Sequence, residues 1–198
     1  ELAPYLARLG ASHLYASPLF QATEGSTHGY DVCDHQRFDE SLGGMDGFLR
    51  MSDALKAAGL GLILDIVPNH MAASVQNPWW KDVLRHGRES RYAGHFDIDW
   101  SAPKLLVPVL GQAYAKALEA GEFALGRDAE GLTFRAPGHE LPLDPKSWPL
   151  VLGIEDGTPK GLAALDPAEL DRRLEALSGD QALLHRVLVG TTNPGDVV

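Results

Sequence analysis

The residues best placed to do chemistry lie in two short stretches. Asp65, Asn69 and His70 fall at and just past the end of the run Leu62-Ile63-Leu64-Asp65-Ile66-Val67-Pro68. The second stretch is Ser26-Thr27-His28-Gly29-Tyr30-Asp31-Val32. A phenol, carboxylates and imidazoles around one ligand can stack on an apolar ring face and hydrogen-bond a rim of hydroxyls, the two features of a pyranose. Tyr30 would supply the platform, and Asp31 and His70 the hydrogen bonds. Each side chain also has an ordinary reading. Asp65 can be a buried carboxylate paired with an arginine, Asn69 can close the turn after Pro68, His70 can be a satisfied loop histidine, and Tyr30 can simply pack. The combination at this spacing favours a ligand.

For those loops to meet, the elements before them must run side by side. Leu2, Tyr5, Leu6 and Leu9 have helical spacing, and Gly10 is placed to end the helix. His13 to Phe20 reads as a buried strand broken at Ser17-Pro18, followed by a polar loop from Gln21 to Asp34. A second helix would carry Met45, Phe48, Leu49, Ser52 and Leu55 on one face and stop near Gly59. Leu60 to Val67 is a continuous apolar run, the mark of a parallel strand covered on both faces. Helix, strand, helix, strand at this pitch predicts an α/β barrel or a doubly wound sheet, with both loops at the C-terminal ends of their strands.

After Asn77 the alternation stops. Residues 77 to 111, rich in Trp, His and Asp, read as an inserted subdomain. Phe123–Arg127 and Leu132–Arg135, separated by Asp128-Ala129-Glu130-Gly131, read as a hairpin. Asp166-Pro167-Ala168-Glu169 has the form of a capping box with proline at the first helical position, and Leu170, Leu174 and Leu177 supply the buried stripe. A last helix spans roughly Gln181 to Leu188, before a turn-forming tail from Gly190 to Gly195. His139-Glu140 stands isolated and lacks the second histidine of a zinc-protease motif. No G-x-S-x-G or phosphate-binding glycine loop occurs. The domain boundaries this predicts are 1–76 for part of a barrel, 77–165 for the insertion, 166–188 for a helical return to the barrel, and 189–198 for a divergent or frayed tail.

The 198 residues carry a formal charge of −10, which argues against a nucleic-acid or anionic-membrane surface. No apolar run approaches the ~18 residues of a membrane span. No signal peptide opens the chain, whose start inside a helical pattern suggests a lost N-terminus. One cysteine, Cys33, excludes an internal disulfide, reads as a semi-buried filler, and favours a cytoplasmic setting.

Gly29-Tyr30-Asp31, the downstream Asp34 and Asp65-Ile66-Val67-Pro68-Asn69-His70 together resemble the α-amylase superfamily. The finer resemblance is to the maltooligosyltrehalose synthases, the (1→4)-α-glucan 1-α-glucosylmutases. It is carried by S-H-L-Y-A-S-P at Ser12 to Pro18, G-S-T-H-G-Y-D-V at Gly25 to Val32, L-G-G at Leu42 to Gly44 and G-L-I-L-D-I-V-P-N-H-M ending at Met71. It continues with N-P-W-W-K-D-V-L from Asn77 to Leu84, F-D-I-D-W from Phe96 to Trp100, and K-L-L-V-P-V-L-G from Lys104 to Gly111. These blocks cover roughly residues 1 to 188; from Val189 onward the chain leaves the family pattern.

The resemblance implies a partial (β/α)8 barrel, about its second and third strands with flanking helices, plus an inserted subdomain. It implies that Tyr30 and His70 line the subsite of the sugar whose bond is broken, with Asp31 and His28 beside them, and that Asp65 orients an arginine next to the nucleophile. Asn69 binds calcium in many amylases, but the synthases are not generally calcium enzymes, so neither a metal nor a cofactor is expected. The partner would be a maltooligosaccharide.

The implied reaction is an intramolecular transglycosylation. A carboxylate attacks the anomeric carbon at the reducing-end α-1,4 linkage while an acid protonates the leaving oxygen. The freed glucose turns in the site and is glycosylated through its anomeric hydroxyl, giving an α,α-1,1 linkage. This needs two carboxyl groups about 5 Å apart and exclusion of water; Trp79, Trp80 and Trp100 would either help close such a site or form a small independent core of the inserted region. The family's nucleophile and acid/base come from later strands, and no G-x-R-x-D block occurs here. Asp97 and Asp99 read as structural turn residues. The expectation is a fragment of such an enzyme, inactive alone. A general α-glucan hydrolase or transferase and a non-catalytic glucan-binding module are the alternatives.

Overall fold

The computed structural model describes residues 2–102, 104–154, 161, 162 and 164–189. The tail expected from Gly190 to Gly195 lies outside the described residues. The chain forms two compact units, Glu1–Trp80 and Lys81–Val198.

The first unit opens with α1 (Leu2–Arg8), then β1 (His13–Ala16), β2 (Phe20–Ala22) and β3 (Val32–Phe38), and continues with α2 (Gly44–Ala57) and β4 (Gly61–Leu64). β1 and β4 pair in parallel, with His13 opposite Gly61, Tyr15 opposite Ile63 and Ala16 opposite Leu64. The His13 ring covers Gly61 so closely that a Cβ there would collide with it. Pairing in β4 stops at Leu64, short of the expected Val67, and the Asp65 amide makes the last bond of the ladder, to the Ala16 carbonyl at 3.1 Å.

The expected strand from His13 to Phe20 is split by Ser17-Pro18, and the stretch expected to be a loop from Gln21 to Asp34 contributes to a hairpin instead. β2 and β3 pair antiparallel. Proline has no N–H to give a ladder, so the chain leaves the β1 plane and starts a separate hairpin. Phe38 anchors it, stacked on Phe20 at 5.7 Å and on Phe48 of α2 at 4.1 Å.

The buried faces of both helices are also rotated from expectation. Leu2, Tyr5 and Leu9 of the first pattern are exposed, and the core is Ala3, Leu55 and Leu60 with Leu6, Ala7, Met51, Ala58, Leu14 and Leu62 against it. In α2, Met45 and Leu49 face solvent, while Phe48, Met51 and Leu55 face inward. A helix with apolar residues at several angles buries the stripe that meets its neighbours.

The first unit ends in a helix that continues into the second, α3 (Pro78–His86). The apolar spacing of the sequence predicts no helix there. Asn77 starts it: its Oδ1 accepts from the amides of Trp79 (3.1 Å) and Trp80 (3.4 Å), and its Nδ2 donates to the Ala72 carbonyl at 3.1 Å. A capping asparagine before a first-turn proline is a standard helix start.

The second unit is built on an antiparallel meander of β5 (Ala124–Asp128), β6 (Gly131–Ala136) and β7 (His139–Pro142). The expected hairpin is its first half. The pair His139-Glu140 opens the third strand, across the Pro137-Gly138 turn. Around the sheet pack α4 (Tyr114–Glu119), α5 (Trp148–Leu152), α6 (Pro167–Ser178) and α7 (Gln181–Leu188). Asp166 caps α6 by accepting from the Glu169 amide at 2.9 Å. Asp180 caps α7 by accepting from the Leu183 amide, also at 2.9 Å. Phe123, Leu132, Trp148, Leu152, Leu174 and Leu184 fill one core, so α6 and α7 share it with the sheet. Among the described residues no helix is long and apolar enough to cross a membrane.

Candidate functional site

Strand alternation decides which side chains the first unit presents. Leu14 and Leu62 point toward α1 and α2. Residues 13 and 15 of β1, and 61, 63 and then 65 along β4, therefore stand on the opposite face. That face is open: Tyr15 is 64% exposed and Ile63 48%. Asp65 sits where it meets the end of the strands.

The loop between β2 and β3 delivers Tyr30 to this point. Tyr30 donates its hydroxyl to Asp65 Oδ2 at 2.7 Å. Hydrogen bonding to the same carboxylate is the leading cause that raises both the Tyr30 and the Tyr15 phenols above their ordinary value. Tyr15, on the neighbouring strand, shares that face of the sheet with Asp65.

Asp31 holds the loop's shape. Thr23 Oγ1 donates to its Oδ2 and Ser26 Oγ to its Oδ1, the latter at 2.5 Å, while the Thr23 amide donates to its carbonyl at 3.1 Å. Partial burial opposes its charge, but the Ser26 and Thr23 hydroxyls outweigh that and keep the carboxyl below its ordinary value. Gly29 at φ +75° lies against Pro18, whose carbonyl oxygen would be 3.1 Å from a Cβ, so no side chain fits there without strain. His28 stacks on Tyr30 with ring centroids 5.8 Å apart. Its Nδ1 accepts from the Tyr30 amide at 3.0 Å, so that nitrogen carries no proton although it lies 3.6 Å from Asp31.

His70 and Asn69 form a second pair. Asn69 Oδ1 can only accept, so His70 Nδ1 donates across 3.1 Å and leaves Nε2 as an acceptor for a hydroxyl. The expected residues therefore fall into two groups, Tyr30–Asp65 with Asp31 and His28 behind, and Asn69–His70 further along the chain. Sequence reasoning misses Tyr15, which sits inside an apolar strand. The signal is nonetheless present, since parallel neighbours place residues 15, 63 and 65 on one face.

Asn69 contributes one amide oxygen, already paired, and no group of three or more His, Cys, Asp or Glu among the described residues could hold a metal ion. That donor set does not fit calcium, which takes six to eight oxygens. Of the tryptophans, Trp79 and Trp80 lie in α3, and Trp100 sits under the Arg88 guanidinium at 6.0 Å. Asp99 is a turn residue, accepting from the Ser101 amide and hydroxyl at 2.9 and 2.6 Å. A cavity of about 790 Å³ in the second unit, lined by residues such as Arg88, Trp100, Lys104, Phe134 and Asp144, contains none of the predicted sugar contacts.

Residues 1–116 match the family defined by the catalytic domain of α-amylase. The chain belongs to that family. Within the α-amylase family it is 41% identical over 183 residues, 90% of its length, to the "Putative maltooligosyl trehalose synthase" of Mycobacterium tuberculosis. It is 38% identical over 96 residues, 48% of its length, to "Neopullulanase 2" of Thermoactinomyces vulgaris. Among solved structures, maltooligosyltrehalose synthase from Arthrobacter ramosus superposes with a TM-score of 0.64 at 40% identity over 80% of this chain. The chain spans about a fifth of the length of the synthases, 21% and 20%. The Tyr30–Asp65 contact lies at the C-terminal ends of the parallel strands β1 and β4.

Proposed function

We propose that this chain is part of an enzyme that converts the reducing-end α-1,4 linkage of a maltooligosaccharide to α,α-1,1 by intramolecular transglycosylation. One observation carries the reading. The similarity to the Mycobacterium tuberculosis protein runs over 183 residues, well past the 116 that match the family at large. It thus includes much of the second unit, where a general amylase would have no reason to agree.

In this reading the first unit is a piece of a (β/α)8 barrel, through about residue 76, and β1 and β4 are neighbouring barrel strands. The stretch from 77 to 165 is a subdomain inserted after them, and 166–188 leads back toward the barrel while sharing the subdomain's core. Support comes from the parallel pairing and from the open face that carries Tyr15, Ile63 and Asp65. Tyr30 stacks on a glucose ring, Asp31 accepts a hydroxyl through lone pairs left by Thr23 and Ser26, and His70 accepts another at Nε2. Asp65 directs its remaining lone pairs to a cationic side chain beside the reacting bond. His28 and Asn69 fix Tyr30 and His70. The carboxylates that break the bond are not among these residues, so the 198-residue chain alone should bind maltooligosaccharide weakly and leave it unconverted. With a single, buried cysteine, the setting we favour is the cytoplasm.

The test is incubation of the complete polypeptide carrying this sequence with maltopentaose. Loss of reducing ends with little free glucose supports the reading. Accumulating glucose and maltose would point to a general hydrolase, and binding without turnover to a glucan-binding module.

A further inference from the structure

We infer that His35 is a positioning residue for the reaction: by donating to the Val67 carbonyl it ties the segment carrying Asn69 and His70 to β3, the strand into which the Tyr30 loop runs. This rests on the function proposed above. The residues expected to touch sugar sit on two loops, and His35 belongs to neither. Its Nε2 lies 3.2 Å from the Val67 carbonyl oxygen. A carbonyl can only accept, so Nε2 carries the proton and donates it.

Two further bonds join the same loops. The Ala72 amide donates to the Val32 carbonyl at 2.8 Å, and the Glu24 amide to Gln76 Oε1 at 2.7 Å. Val67 and Ala72 are buried, while Pro68, Asn69 and His70 between them are exposed. Both ends of that exposed segment are therefore held on β3, one at His35 and one at Val32, the residue that follows Tyr30-Asp31. The Asn69–His70 bond is made between chain neighbours, so it orients the ring against its own backbone without placing that backbone. Losing the Val67 anchor frees one end and returns conformational freedom to the residues that present His70. Packing alone does not call for an imidazole. The ring lies tilted 6.0 Å from Phe20 of β2, a contact that phenylalanine would also make. What phenylalanine lacks is the donor.

The experiment compares wild type, H35F, H35Q, H70A and the H35F/H70A double variant in the complete polypeptide carrying this sequence. Two readouts are taken, hydrogen–deuterium exchange over residues 67–72 and steady-state kinetics with maltopentaose. H35F keeps a ring and loses the donor, whereas H35Q keeps an N–H at nearly the same reach. H35F is expected to speed exchange at 67–72, leave 13–16 and 61–64 unchanged, and lower kcat/KM by roughly 10-fold. H35Q should restore slow exchange and bring kcat/KM back to within about threefold of wild type. In the H70A background H35F should add less than about twofold, because its effect runs through His70. Unchanged exchange at 67–72 in H35F overturns the inference, and so does a full further loss in the H70A background. Equal damage in H35F and H35Q, with faster exchange throughout the first unit, also overturns it, since His35 would then serve folding alone. If wild type leaves maltopentaose unconverted, the proposed function fails. With it goes the part given to His35 in the reaction, while exchange at 67–72 still reports whether His35 holds the segment.

Discussion

The two units solve opposite problems. The second encloses its apolar residues: Phe123, Leu132, Trp148, Leu174 and Leu184 sit in a core covered by strands on one side and helices on the other, with Trp148 at 1% exposure. The first buries one face of its parallel pair under α1 and α2 and leaves the other bare, with Tyr15 and Ile63 exposed. Parallel strands are ordinarily covered on both faces. The polar groups divide in the same way. In the second unit Arg85, 6% exposed, is spent on architecture, donating to the Glu130 carbonyl at 2.6 Å and to both oxygens of Asp128. In the first, Tyr30, Asp65 and His70 are accessible and make only the bonds that aim them. The larger core lies in one unit and the candidate site in the other.

The sharpest way to break that contrast is to damage the core. Trp148→Ala removes a fully buried indole whose Nε1 donates to the Leu143 carbonyl at 3.2 Å. It should cost about 3–5 kcal/mol, read as a lowered urea midpoint of the second unit. Arg85→Met comes next. It leaves Asp128 without one of its two cations and the Glu130 carbonyl without a donor, with an expected cost of about 2 kcal/mol.

The same cluster gives a pH dependence. Burial opposes the charge on Asp128, but its bonds to Lys81 and the Glu130 amide, with the nearby Arg85, hold its carboxyl below the ordinary 3.8. Its folded-state pKa is therefore below its unfolded one, so this stabilisation is complete above about 3.8 and is lost as pH falls through the folded value. Acid unfolding of Asp128→Asn should accordingly be shallower below that point.

Smaller again is Asp166→Ala, which removes the α6 cap and should cost about 1 kcal/mol, visible as faster amide exchange over the first turn of that helix. Least disruptive is Tyr30→Phe. Tyr30 is 44% exposed and loses one hydrogen bond, so stability should change by less than about 0.5 kcal/mol, while turnover of maltopentaose by the complete polypeptide falls. A Tyr30→Phe protein that unfolds like Trp148→Ala would erase the distinction between the units.

How much of this is legible in the sequence depends on the kind of signal. β4 and α7 stand out because their residues are apolar without interruption or at helical spacing. Asp166 announces α6 because the cap, the proline and the leucine stripe agree. β3 is silent because its interior, Asp34-His35-Gln36-Arg37, is polar, and its partner β2 has three residues. Its register is set from outside by the Phe20–Phe38–Phe48 stack, a contact among residues distant in the chain. Pro137-Gly138 and Asn77-Pro78 do carry local signals, a turn and a helix start, but neither is backed by a periodic apolar pattern. In the candidate site, Tyr30, Asp65 and His70 are marked by motif, but only the strand register places Tyr15 beside Asp65. The role of Asp31 as the acceptor for Thr23 and Ser26 likewise needs the folded loop.

The central claim is that the glucan is held by the first unit's open face. Hydrogen–deuterium exchange of the complete polypeptide with and without maltopentaose tests it directly. The account predicts added protection at residues 28–31 and 65–70 and none across 123–152. Protection confined to the second unit, with the Tyr30 and Asp65 segments unchanged, would contradict it.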